Sequence, residues 1–135
     1  VASAMLFWRL LGASIIMLAF GFFGESGAMD AWIAWAIGMA AWIYIIYEIW
    51  FGDAKKAAGE ATEGVQFAFT WMTYILTFGW AIYPVGYVLG MDASADNQDM
   101  LNIVYNIADV VNKTAFGLMV WYAATIDTAA AESKE

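Results

Sequence analysis

The sequence contains no cysteine and no histidine. The first absence excludes disulfide frameworks and thiolate chemistry. The two together remove the residues that supply most transition-metal sites, so no metal centre is expected. Positive charge is scarce as well: 5 Lys and Arg stand against 13 Asp and Glu, a net charge of −8. With no basic patch to neutralise phosphates, nucleic acid is not an expected partner. Charged residues of both signs make up only 13% of the chain, where soluble domains carry about a quarter. Proline occurs once, at Pro84.

What fills the chain instead is apolar: 64% of the residues are hydrophobic, 18% are aromatic, and the mean hydropathy is +0.66. These residues gather into four blocks: Met5 to Phe23, Ala31 to Phe51, Val65 to Leu89 and Met100 to Thr125. Each has roughly the twenty residues that a helix needs to cross about 30 Å of hydrocarbon. The expected fold is therefore all-α, a polytopic transmembrane helix bundle forming one membrane domain over residues 1–135 in contact with the lipid bilayer. The connections Gly24–Asp30, Gly52–Gly64 and Gly90–Asp99 are rich in glycine, small and acidic residues, as loops tend to be. The first apolar run is too long for a cleaved leader. The chain opens on Val-Ala-Ser-Ala rather than methionine and reads as a fragment or a nicked product.

Four of the five positive residues orient the bundle. Arg9, Lys55, Lys56 and Lys134 fall on the side shared by the start of the chain, the second loop and the C-terminus, whereas the first and third loops carry none. The positive-inside bias makes the second loop and the C-terminal tail cytoplasmic. The fifth, Lys113, lies mid-span, about 18–20 Å from either end of its helix at ~1.5 Å per residue. Its stem is too short to reach water from there.

Asp109 precedes Lys113 by four residues, which places the two side chains one turn apart on one face. Asn102, Asn106, Asp109 and Lys113 draw a polar stripe, with Asn112 beside the lysine. Lipid cannot satisfy such a stripe, so it is expected to face protein or a wet cavity. One reading is a structural ion pair. The other uses the chemistry of a buried amine: desolvation favours its neutral form, which can condense with an aldehyde to a Schiff base. The protonated imine then needs an anion, and Asp109 stands in reach.

The third span carries Thr70, Thr73, Thr77, Trp80, Pro84 and Tyr87 at spacings of three and four, with Tyr83 flanking the same face. Pro84 should kink the helix mid-span. In the second span, Trp35, Gly38 and Trp42 recur at i, i+3 and i+7, so the glycine leaves a slot between two tryptophans for a flat ligand. Met17 and Gly21 lie one turn apart in the first. Plain helix packing also favours small residues at such positions, and Gly86-x-x-x-Gly90 reads as close helix contact. Glu48, near Lys55 and Lys56, is expected at the solvated interface, and Glu25 in the first loop in water.

The segment NIADVVNKTAFGLMVW (Asn106 to Trp121) resembles the seventh helix of the proteorhodopsins, a family of microbial, type 1 rhodopsins. There, Asp-x-x-Asn-Lys holds the retinal-linking lysine and a counterion carboxylate. FGWAIYPVGY (Phe78 to Tyr87) is similar to their sixth helix, AWIYIIYEIW (Ala41 to Trp50) to the fifth and MLAFGFFGESG (Met17 to Gly27) to the fourth. The resemblance implies the last four helices, D to G, of a seven-helix rhodopsin. It implies all-trans retinal bound covalently through Lys113 as a Schiff base, with Asp109 as counterion. Trp80, Tyr83 and Pro84 would pack on the polyene and ring, Trp35, Gly38 and Trp42 would line the pocket from the fifth helix, and Met17 and Gly21 from the fourth. Asn112 would adjoin the lysine.

The implied activity is light-driven outward proton pumping across a bacterial inner membrane, not enzymatic catalysis. Alternatives are a retinal-based photosensor signalling to a partner, a pump of another ion, and a retinal-free transporter or scaffold. Helices A to C of the same protein would be partners, and the family commonly forms homo-oligomers. The absent third helix would supply the main proton acceptor, the cytoplasmic donor, an arginine and a colour-tuning position. The four helices alone are accordingly expected to hold an incomplete pocket and not to pump.

Overall fold

The structure, a computed structural model, describes residues 2–91 and 94–133. Helix α1 spans Ala4–Glu25 and α2 Ala31–Trp50. A short α3 covers Asp53–Gly59, α4 Glu63–Tyr74, α5 Ile82–Gly90 and the long α6 Ala95–Glu132. Between α4 and α5, Ile75–Gly79 winds as a π-helical turn.

Short polar side chains start these helices by accepting the free N–H groups of the first turn. Ser3 Oγ accepts from Leu6 N at 3.1 Å, and Asp30 Oδ1 from Trp32 N and Ile33 N, both at 3.0 Å. Thr62 begins α4 in the same way. Gly27, with φ of 73°, makes the left-handed step that turns the chain after α1.

Three stretches are long and apolar enough to cross a membrane: Ala4–Glu25, Ala31–Gly59 and Glu63–Gly90. The fourth expected span, 100–125, lies wholly inside α6, which is helical throughout its 38 residues. At ~1.5 Å per residue, α6 is about 57 Å long and exceeds the bilayer core. Its polar stripe makes it less apolar than the other three. The protein is a multi-pass transmembrane helical bundle.

Three expectations are corrected. The third connection, expected over Gly90–Asp99, ends sooner, because α6 already begins at Ala95. The second loop, Gly52–Gly64, is not irregular throughout, because Asp53–Gly59 forms about two helical turns against the end of α2. Nor is Glu48 at the solvated interface. It is buried, with Arg9 Nη2 at 2.9 Å, Tyr44 Oη at 3.1 Å and the Asp53 main-chain N–H at 3.0 Å. Arg9 also donates to Asp53 at 3.2 Å. A carboxylate inside a bundle must be paired and hydrogen-bonded, and the charge from α1 reaches it across 39 residues of sequence. Glu25, as expected, is exposed.

Helix α1 packs along α2, and α4 and α5 pack along α6, with α2 bridging the two pairs. The best-buried apolar cluster is Leu6, Ile49 and Ala54, backed by Leu10, Ile46, Trp50, Phe69 and Leu76. Many large apolar side chains stay on the outside, among them Phe7, Trp8, Leu18, Phe22 and Val110. In lipid, exposure of this kind carries no hydrophobic penalty, because acyl chains are as apolar as the side chains themselves.

Candidate functional site

The ionisable pair on α6 is formed as its spacing demands. Lys113 Nζ donates to Asp109 Oδ2 across one helical turn. The other carboxylate oxygen, Oδ1, accepts from Tyr83 Oη of α5 at 2.5 Å. Asp109 thus has its two oxygens committed to different partners, one cationic and one neutral. The Tyr83 ring is itself held: it stacks on Tyr105 with centroids 5.7 Å apart, and Tyr105 Oη donates to the Tyr83 carbonyl at 3.4 Å. Tyr105 has no place in the sequence reading, although its position four residues before Asp109 was a usable signal.

The stripe was expected to be enclosed. Within these four helices it is not: the side chain of Lys113 is 76% exposed and that of Asp109 42%, while Asn102 and Asn106 are also exposed. Among the described residues, only Tyr83 hydrogen-bonds to this pair from a neighbouring helix.

Near Pro84, where a kink was expected, the main-chain pairing becomes irregular from two turns earlier. Trp80 N donates to Ile75 O at 3.1 Å, five residues back, and Tyr83 N to Trp80 O at 3.2 Å, three back. Regular pairing resumes at Val85 N to Ala81 O, 3.3 Å. Pro84 brings no N–H of its own, and the π turn upstream absorbs the resulting register change. Such a stretch frees main-chain carbonyls, which hydrocarbon cannot satisfy. Side chains from other helices take two of them: Trp42 Nε1 donates to Leu76 O at 3.2 Å and Asn112 Nδ2 to Gly79 O at 3.0 Å, while Trp35 Nε1 donates to Pro84 O, in the regular α5, at 3.1 Å. Two residues singled out as pocket walls, Trp42 and Asn112, therefore also hold the irregular backbone in place.

The remaining wall residues separate into groups. Trp35, Trp42 and Pro84 line an open groove of about 380 Å³ between α2 and α5, together with Trp32, Met39 and Ala81. Asn112 lines a second, of about 370 Å³, between α5 and α6. Neither groove reaches Lys113. Gly38 does not open a slot between the tryptophans; it faces α1, where a Cβ would meet the Met17 carbonyl at 3.5 Å. Met17 and Gly38 thus come together as a close helix contact, whereas a side chain added at Gly21 would enter open space. Trp80 is half-buried one turn before Tyr83. Among the described residues, no group of three or more acidic, histidine or cysteine side chains is placed to hold a metal.

A family model described as Bacteriorhodopsin-like protein matches residues 2–126. The green-light absorbing proteorhodopsin of gamma-proteobacterium EBAC31A08 is 51% identical over 123 residues, covering 88% of this chain and 48% of that one. The blue-light absorbing proteorhodopsin of gamma-proteobacterium Hot 75m4 is 44% identical over 124 residues, 90% and 49% of the two chains. Among solved structures, a blue light-absorbing proteorhodopsin from Med12 is 49% identical with a TM-score of 0.75, covering 92% of this chain and 56% of that one. Exiguobacterium sibiricum rhodopsin is 33% identical with a TM-score of 0.84, covering 93% and 59%. The chain spans about half the length of the curated relatives it matches. With the paired Lys113 and Asp109 on its last helix and the match running over nearly all of its length, the chain belongs to the bacteriorhodopsin-like family, as a proteorhodopsin-type microbial rhodopsin.

Proposed function

We propose that this chain is the retinal-bearing part of a light-driven outward proton pump. The observation that carries the proposal is the Lys113–Asp109 pair, tied to Tyr83, on a membrane helix of a bacteriorhodopsin-like protein. Retinal fits this donor set: an aldehyde requires an amine, and the cation that results requires a carboxylate in reach. When bound, retinal supplies light absorption and a change of double-bond geometry.

The chain's own residues do the rest. Lys113 Nζ would hold the retinal carbon as an imine, the aldehyde oxygen leaving as water, and would carry the proton. Asp109 Oδ2 lies against that nitrogen and balances its charge, while the Tyr83 hydroxyl fixes Oδ1 and so stops the carboxylate from rotating. Trp80, Tyr83 and Pro84 would contact the polyene and ring, and Trp35 and Trp42 would close the far end. The exposed side of Lys113 is where the three preceding helices of the same protein would complete the pocket and supply the proton acceptor. Arg9, Lys55 and Lys56, all at one end of the bundle, support a cytoplasmic second loop in a bacterial inner membrane.

The experiment is to add all-trans retinal to the full-length protein and to its Lys113→Ala variant. A visible band should form in the first and be missing from the second; a persisting covalent pigment in Lys113→Ala refutes the assignment. Illumination of cells should then acidify the medium in a sustained way. A coloured protein that leaves external pH unchanged would instead be a photosensor, and a change abolished by removing sodium or chloride would make it a pump of another ion.

A further inference from the structure

Asn112 adjoins the candidate chromophore lysine, yet its amide nitrogen is already engaged away from it. Nδ2 donates to the Gly79 carbonyl at 3.0 Å. That carbonyl is free because the N–H that a regular helix would bring to it, from Tyr83, goes to Trp80 O instead. The approach is close: a Cβ at position 79 would stand 2.3 Å from Asn112 Oδ1, so the amide would have to move.

Three residues earlier on α6, Asp109 accepts from the Tyr83 hydroxyl. Gly79 and Tyr83 are four apart on one chain segment, and Asp109 and Asn112 three apart on the other. The two hydrogen bonds are therefore successive rungs between the irregular stretch and α6. One rung engages a main-chain carbonyl, which cannot change rotamer. The other uses a tyrosine side chain that meets the carboxylate only if the register is right. Shifting the stretch by one residue would move Tyr83 by about 1.5 Å along the axis and turn it by about 100° around it, which carries its hydroxyl out of reach of Asp109.

We infer that Asn112 is a positioning residue: by holding Gly79 O it sets the register in which Tyr83 reaches Asp109, and through them it orients the carboxylate toward Lys113. The inference rests on the proposed role of the Lys113–Asp109 pair for its effect on colour, but not for its effect on Tyr83. Asn112 need not touch retinal to change the pigment.

The test is Asn112→Leu, which keeps the approximate size and removes the donor. In the retinal-free full-length protein, the infrared C–O stretch of Tyr83, assigned by its loss in Tyr83→Phe, should shift in Asn112→Leu. An unchanged band overturns the inference whether or not the protein binds retinal. In the pigment, Asn112→Leu should displace the absorption maximum in the same direction as Tyr83→Phe, and the double variant should go no further than Tyr83→Phe alone. Displacements that add in the double variant overturn it too, because they mean that the two residues act separately. Should Asn112→Leu fail to fold, Gly79→Ala pushes the amide off the same carbonyl from the other side, and it should shift the same tyrosine band. No shift there is equally decisive against the inference.

Discussion

Trp42 offers the sharpest measurement of what it takes to keep an irregular helix inside a bilayer. Its indole N–H donates to Leu76 O at 3.2 Å. In an unbroken α-helix that carbonyl would receive Trp80 N, which here goes to Ile75 O. Trp42→Phe keeps an aromatic ring in most of the same volume but withdraws the donor. A buried acceptor left without a partner costs about 1–3 kcal/mol, and no water stands by in hydrocarbon to replace it. At ~1.4 kcal/mol per factor of ten, the ratio of folded to unfolded protein should fall by about 5- to 150-fold. Trp8→Phe is the control: Trp8 is 65% exposed on α1, and the substitution should change stability by no more than about 0.5 kcal/mol. The assay is reversible unfolding of the protein in mixed micelles, followed by helical circular dichroism. Equal midpoints for the two variants would show that the indole donor contributes nothing and that the π turn satisfies Leu76 by other means.

Two further predictions concern the end of the bundle that holds the second loop. Glu48→Leu should lower the thermal midpoint, because it strands Arg9 with only Asp53 as partner, and Arg9→Met on top of it should restore much of the loss; a double variant no more stable than Glu48→Leu would contradict this. Asp127 accepts from Thr62 Oγ1 at 2.6 Å and from Gly64 N at 3.0 Å, so it caps α4 from the far end of α6. Asp127→Ala should destabilise by about 0.5–2 kcal/mol, the range for lost helix caps, and speed hydrogen exchange at residues 63–66. Unchanged exchange there would rule out the capping role.

Local features of the sequence were enough for the helices and the chemical pair. Span length and hydropathy mark out membrane helices because a bilayer has a set thickness. A lysine four residues after an aspartate meets it on any α-helix, whatever surrounds them. The motifs around Lys113 and Pro84 pointed to the family for the same reason: they lie within single segments.

Whatever depended on how one helix is rotated against another needed the tertiary structure. Glu48 looked solvated because its nearest positive charges in sequence are Lys55 and Lys56, but its partner is Arg9, on a different helix. Trp35, Gly38 and Trp42 share a spacing but not a destination: the indoles reach carbonyls of α5 and of the π turn, and the glycine meets Met17. The proline announced a kink, but not the π turn before it or the carbonyls it would free. A π turn changes the register of everything that follows, and spacing rules presuppose constant register. The sequence by itself therefore determined which segments are helices and which residues can react, whereas the packing between helices decided which polar groups those residues would hold.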